Sequence, residues 1–117
     1  MTKKDKKIYS TAYLQSVKTS PLKVTRVTGS VTGMKASDAV RNLSFCNLKM
    51  ANYVKSLILS ALSNAENNHN LDIDELYVEK FDVGKAFTLK RMATRARGRS
   101  SRILKRFTNI RVYLAEK

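Results

Sequence analysis

The chain has no Trp, one Cys, one His, one Pro and four Gly among its 117 residues. Each shortage excludes something. Cys46 alone can form no internal disulfide and supplies no thiolate metal set. His69 alone rules out the usual multi-histidine zinc sites. With aromatics at 8%, broad stacking of bases on side-chain rings has little to work with. No apolar stretch reaches the roughly 20 residues that a membrane-spanning helix needs, and no signal-peptide apolar region follows the basic N-terminus MTKKDKK. A cytosolic protein fits these features, and an organellar one stays open. The phosphate-cradling patterns GxxxxGK and GxGxxG are both missing.

The most informative absence is of acid. From Gly84 to Leu114 the chain carries ten Lys or Arg and no Asp or Glu, within a net charge of +14. So basic a surface repels itself when isolated, which implies a polyanion in the working state, with nucleic acid the leading candidate. Six of the nine acidic residues, Glu66, Asp72, Asp74, Glu75, Glu79 and Asp82, lie together just before this run. They define an end of the molecule that phosphate avoids.

What is present suffices for one domain: hydrophobic residues make up 43% of 13.2 kDa, enough for a modest core. Residues 1–7 read as a solvated basic arm, and Ile8 to Val17 has strand-like content with poor alternation. Ser20-Pro21 signals a helix start, Ser at the N-cap and Pro in the first turn. Val24, Val27 and Val31 then follow at helical spacing, Lys23 and Arg26 lie on the other side, and Gly33 ends the helix. Ser37 is expected to cap a short second helix, with Val40 and Leu43 inward. Leu48 to Ala65 is the strongest helix: Ala51, Val54, Leu57, Ile58, Ala61 and Ala65 form one apolar stripe, and the turn-prone Asn67–Asn70 stretch stops it. Two strands follow, Leu76 to Val83 and Ile110 to Leu114. Pairing Leu76 opposite Leu114 places Val83 opposite Phe107 and a fold-back near Arg95, in an excursion projecting about 40 Å at about 3.3 Å per residue. Such a two-stranded ribbon is marginal in water without a partner; a disordered basic loop is the alternative.

The strongest local unit is Lys90 to Arg99. If extended, Arg95, Arg97 and Arg99 share one face and address successive phosphates with paired donors. Gly98 permits a bend or close approach, and Arg102, Lys105 and Arg106 extend the basic surface along the returning arm. A narrow ribbon suits folded RNA; DNA reading usually needs a helix in the major groove, and no basic helix is present. Met92, Leu89 and Ile103 either contact bases or pack across the ribbon. Enzymatic readings are weak. His69 sits in an Asn-rich turn, Cys46 reads as a small buried hydrophobe, and Asp72, Asp74 and Glu75 lack calcium-loop spacing. Lys49 and Lys55 lie on the polar side of the main helix, where phosphate contact is a secondary reading.

Lys90, Arg95-Ala96-Arg97-Gly98-Arg99 and Asn109-Ile110-Arg111-Val112-Tyr113-Leu114 together resemble the motif of the large ribosomal subunit protein twenty-two family, in its bacterial and organellar form. Ser20-Pro21-Leu22-Lys23-Val24 with Arg26-Val27, Asn64-Ala65-Glu66-Asn67 within Ala61 to Asn67, and Arg102 to Arg106 extend the likeness to about residues 13–116. The resemblance implies an α+β body, three helices packed on a three-stranded antiparallel sheet, with a long hairpin over residues 84–106. It implies one rRNA-binding domain over 1–117, placed near the peptide-tunnel exit and supporting subunit assembly. Its rRNA contacts would be Lys23, Arg26, Lys85, Lys90, Arg91, Arg95, Arg97, Arg99, Arg102, Lys105 and Arg106. Leu89, Lys90, Arg91, Met92, Ala93, Thr94, Arg95, Ala96 and Arg97 would line the tunnel, where Leu89-Lys90-Arg91 match a segment associated with macrolide response. The implied partners are large-subunit rRNA, neighbouring ribosomal proteins and, transiently, the nascent chain. The protein would act as a monomer on the ribosome, with no membrane, metal or cofactor. Two departures stand out: Thr94 replaces a common Pro before the tip, predicting a looser bend, and Thr32-Gly33-Met34 replaces Arg-Gly-Lys, removing cations there. A free nucleoid or DNA-binding module and a membrane-coating peptide are the competing classes; a membrane-active chain would be expected to show a basic amphipathic helix.

Overall fold

A computed structural model describes residues 9–94, 96–98 and 100–116; the expected basic arm at 1–7, and Arg95 and Arg99, lie outside them. The order is β1 (Ser10–Lys18), α1 (Pro21–Val31), α2 (Ala36–Ser44), α3 (Ala51–His69), β2 (Leu76–Thr94) and β3 (Ser100–Glu116). The three strands form one antiparallel sheet in the order β1-β3-β2. The helices cover one sheet face, as the α+β reading expects.

The core assembles from the two periodicities in the sequence. The six stripe residues of α3, Ala51, Val54, Leu57, Ile58, Ala61 and Ala65, are all buried. They face Ile110, Val112 and Leu114 of β3, and the same core takes in Leu76 and Val78 of β2, each fully buried. Burying one such Leu or Ile contributes about 1.5–3 kcal/mol. Small alanines on α3 let helix and sheet approach closely. Ser10 donates from Oγ to the Ala61 carbonyl at 2.6 Å, and Asn64 donates from Nδ2 to the Thr11 carbonyl at 2.9 Å. These two bonds fix α3 across β1.

Two helix starts differ from expectation. Ser20 holds the N-cap position of α1 with Pro21 behind it, but its side chain makes no capping bond. Lys35, not Ser37, precedes α2, because the Lys35 backbone bridges to Tyr77 and passes straight from that extended pairing into the helix. Ser37 is consequently inside the first turn, and Ala36, Ala39 and Leu43 form the buried edge, with Val40 half-buried. Gly33 ends α1 as expected. Its φ of +90° suits glycine, and its N–H reaches the Val78 carbonyl at 2.8 Å while Val78 N–H returns to Met34. α3 begins three residues after Leu48 and runs on to His69, so that this histidine ends a helix rather than sitting in a turn. Asn70 closes it in the left-handed conformation at φ 54°. Cys46 is half-buried against the core.

The poor alternation of the first strand is a bulge. Ser10, Ala12 and Leu14 point inward, and then β1 advances from Leu14 to Val17 while β3 moves only from Ile110 to Thr108. The extra residue resets the phase, so Val17 is buried again. Ser16 takes φ 58° there, and its N–H donates to Oδ1 of Asn109 at 2.9 Å.

Candidate nucleic-acid interface

β2 and β3 leave the body as a continuous ladder from Leu76↔Glu116 to Thr94↔Ser100. The expected register is corrected by two residues at the base and three further out: Val78, not Leu76, faces Leu114, and Val83 faces Ile110 rather than Phe107. Two bulges on β2, one between Val78 and Lys80 and one between Lys85 and Phe87, feed extra residues into that strand alone. The fold-back therefore centres on Arg97, not Arg95. From Gly84 to Thr94 the outgoing arm spans about 36 Å at about 3.3 Å per residue. The molecule measures 65 × 34 × 23 Å, and its radius of gyration is 17.8 Å, against about 13 Å for a compact chain of this length.

A ribbon this long needs a firm root. Phe87 stacks on Phe107 with centroids 4.4 Å apart and planes 15° from parallel. Thr108 donates from Oγ1 to the Thr19 carbonyl at 2.7 Å, tying β3 to the entrance of α1. At the far end Ala96–Gly98 form a tight turn in which Arg97 has φ 61° and Gly98 has φ 72°. Arg97 is exposed, but the turn breaks the extended alternation that would have set it in line with its arginine neighbours.

The register distributes the cations differently from the single-faced surface expected. β3 carries no bulge against β2, so its even-numbered residues continue the core side outward. Thr88↔Arg106, Lys90↔Leu104 and Met92↔Arg102 lie on that side, while Leu89↔Lys105 and Arg91↔Ile103 lie on the other. Both faces are thus basic. Every one of these cations sits opposite an apolar or hydroxyl residue and none opposite another cation, which avoids a destabilising like-charge pair. Long stems can lie along apolar partners while the charged heads stay in water. Lys90, Arg91, Arg102, Lys105 and Arg106 are exposed, as is Lys85 at the root opposite Thr108. Of the remaining predicted tunnel residues, Met92 is 73% exposed, Leu89 and Ala93 are half-buried, and Thr94 is exposed; of Ala96 only its place in the turn is described.

Acid collects at the opposite pole. Asp72 accepts the Asp74 N–H at 3.0 Å to start the short turn Ile73–Glu75, which enters β2 at Leu76. Asp82 pairs across the ladder with Arg111 inside the body. The open sheet face holds Tyr13 under Arg111, and Tyr113 under Lys80, each cation 4.8 Å from the ring centroid. Tyr113, by hydrogen bonding before charge, raises the pKa of Arg111.

Lys23 and Arg26 stand exposed on α1 and line a groove of about 260 Å³ with Val27, Leu48, Lys49 and Met50. A second cleft joins Lys18, Thr19, Ser20 and Lys23 to Leu104, Lys105 and Arg106. Sequence reasoning missed Lys18 because Leu104, Lys105 and Arg106, which it joins in this cleft, lie more than 80 positions away along the chain.

A helix-backed sheet extended by a basic, two-faced β-ribbon with a remote acidic pole defines a nucleic-acid-binding protein of the α+β class. The family model of ribosomal protein L22p/L17e matches residues 12–115, and the chain belongs to that family. It is 48% identical over 105 residues to the large ribosomal subunit protein uL22 of Zymomonas mobilis, covering 90% of this chain and 83% of that protein. The proteins of the same name from Rhizorhabdus wittichii and Rickettsia akari are 47% and 42% identical; they cover 90% and 97% of this chain and 83% and 95% of their own lengths. These are structural ribosomal proteins, and the chain is not an enzyme.

Proposed function

We propose that this chain is a structural constituent of the large ribosomal subunit that binds its rRNA as one domain, with the hairpin over residues 84–106 embedded in RNA. The family match supports the setting; the two-faced charge of the ribbon carries the mode of binding. A strand pair lying on an RNA surface needs cations on one side only. Here Arg91 and Lys105 face one way and Lys90, Arg102 and Arg106 the other, as befits a ribbon enclosed by phosphates. The acidic pole around Asp72, Asp74 and Glu75 then points away from the RNA. Lys23, Arg26 and Lys85 anchor the body, and Arg95, Arg97 and Arg99 hold the tip.

With its arms enclosed, the segment Leu89 to Arg97 reaches furthest from the body and helps line the nascent-peptide tunnel, touching the nascent chain transiently. Neighbouring ribosomal proteins meet the body. The ribosome is the cytoplasmic one, as for the bacterial relatives, and the chain is present as a monomer. Sedimentation of a lysate in high salt tests this directly: the chain should co-migrate with large subunits, and appearance only in DNA-bound fractions would overturn the reading.

A further inference from the structure

We infer that the first turns of α1 form a binding site for one unstacked RNA nucleotide, its base in the groove beside α1 and its phosphates in the adjoining cleft. The inference rests on the rRNA-binding reading and adds a site to it. Two concavities meet at Lys23, which lines both. Their chemistry is opposite. The 260 Å³ groove has an apolar floor, with Val27 and Met50 only 2% and 5% exposed and Leu48 at the side, under a rim of Lys23, Arg26 and Lys49. The cleft of about 340 Å³ gathers Lys18, Lys23, Lys105 and Arg106 around the start of α1. Among the described residues, no acid lines either one.

An apolar floor under a cationic rim suits a flat, neutral ring that carries its charge at one end. A nucleotide has that form; a phosphate alone would gain nothing from Val27 and Met50. The groove is smaller than the roughly 300–1,000 Å³ of drug-sized pockets, which fits one base rather than a large ligand. The cleft suits phosphate for two further reasons. Backbone N–H groups at a helix start favour anions, and the Ser20 hydroxyl makes no capping bond that would compete. The Thr108–Thr19 bond holds the hairpin root against α1, so the cleft is formed before RNA arrives. The base must come from a loop or bulge, since a paired base cannot enter a groove.

The test irradiates the full-length chain bound to protein-free bacterial large-subunit rRNA at 254 nm and maps nucleotide adducts by mass spectrometry. A mononucleotide adduct between Phe45 and Met50 is expected beside those on the hairpin. Adducts on the hairpin with none at 45–50 overturn the inference and leave rRNA binding intact. Failure of the chain to bind this rRNA at all overturns the underlying reading, and the site with it. Leu48→Ala gives the second measurement. Leu48 is 45% exposed, so the fold should survive. Affinity should fall about tenfold, as for loss of two buried methylene equivalents against the base, with an unchanged salt dependence, while Lys23→Ala should lower that dependence. Wild-type affinity in Leu48→Ala, or protein rather than RNA cross-linked to this groove in intact subunits, contradicts the proposal.

Discussion

Asn109 shows how one residue serves the frame that carries the site. Its Oδ1 accepts the N–H of Ser16 at the bulge of β1, where the strand takes a left-handed backbone and one residue too many. Asn109→Ala removes that acceptor, and a lost hydrogen bond costs about 1 kcal/mol. Thermal unfolding should show a midpoint lower by about 4 °C, while Asn109→Asp should retain most of the stability. Ile58→Ala acts through volume instead. It leaves a cavity under the sheet at a fully buried position and should cost about 2–5 kcal/mol, read by denaturant unfolding. At this scale the sequence was legible wherever a side chain acts through its own period. The α3 stripe and the alternation Ile110, Val112, Leu114 are buried as expected. It was illegible where backbone decides: Ser37 has a capping side chain, but Lys35 starts the helix because Tyr77, far along the chain, holds its backbone.

Elements differ in what sustains them. The body strands rest on helices, whereas the ribbon beyond Phe87 and Phe107 has only cross-strand pairs. Phe87→Ala should therefore raise amide hydrogen exchange across 88–94 and 100–106 and leave the melting of the body nearly unchanged. Deleting Leu89 to Arg91 should likewise spare the body and alter macrolide response or tunnel width; a collapsed thermal transition would show that body and ribbon are one cooperative unit. The existence of the hairpin was readable from two strands flanking an acid-free run. Its register was not. Each bulge on β2 adds a residue that no local pattern announces, and together with the later start of pairing they move the fold-back from Arg95 to Arg97. That shift also decides which face each cation occupies.

At the scale of the whole molecule, charge is sorted along a 65 Å axis, acid near the start of β2 and base toward the tip. Composition alone showed this polarity, because no Asp or Glu lies between Asp82 and Glu116 while Lys and Arg continue through that stretch. The meeting of Lys18 and Lys23 with Lys105 and Arg106 could not be read so, since only the folded chain brings them together. The central claim is that the ribbon is held by phosphates. Binding of the full-length chain to large-subunit rRNA, measured across a range of salt concentrations, tests it most directly. Each neutralised phosphate contributes about 0.7–0.9 to the slope of log affinity against log salt. Replacing Arg95, Arg97 and Arg99 together with Ala should weaken binding and reduce that slope by about 2–3. An unchanged slope would contradict it, showing that those arginines do not face phosphates.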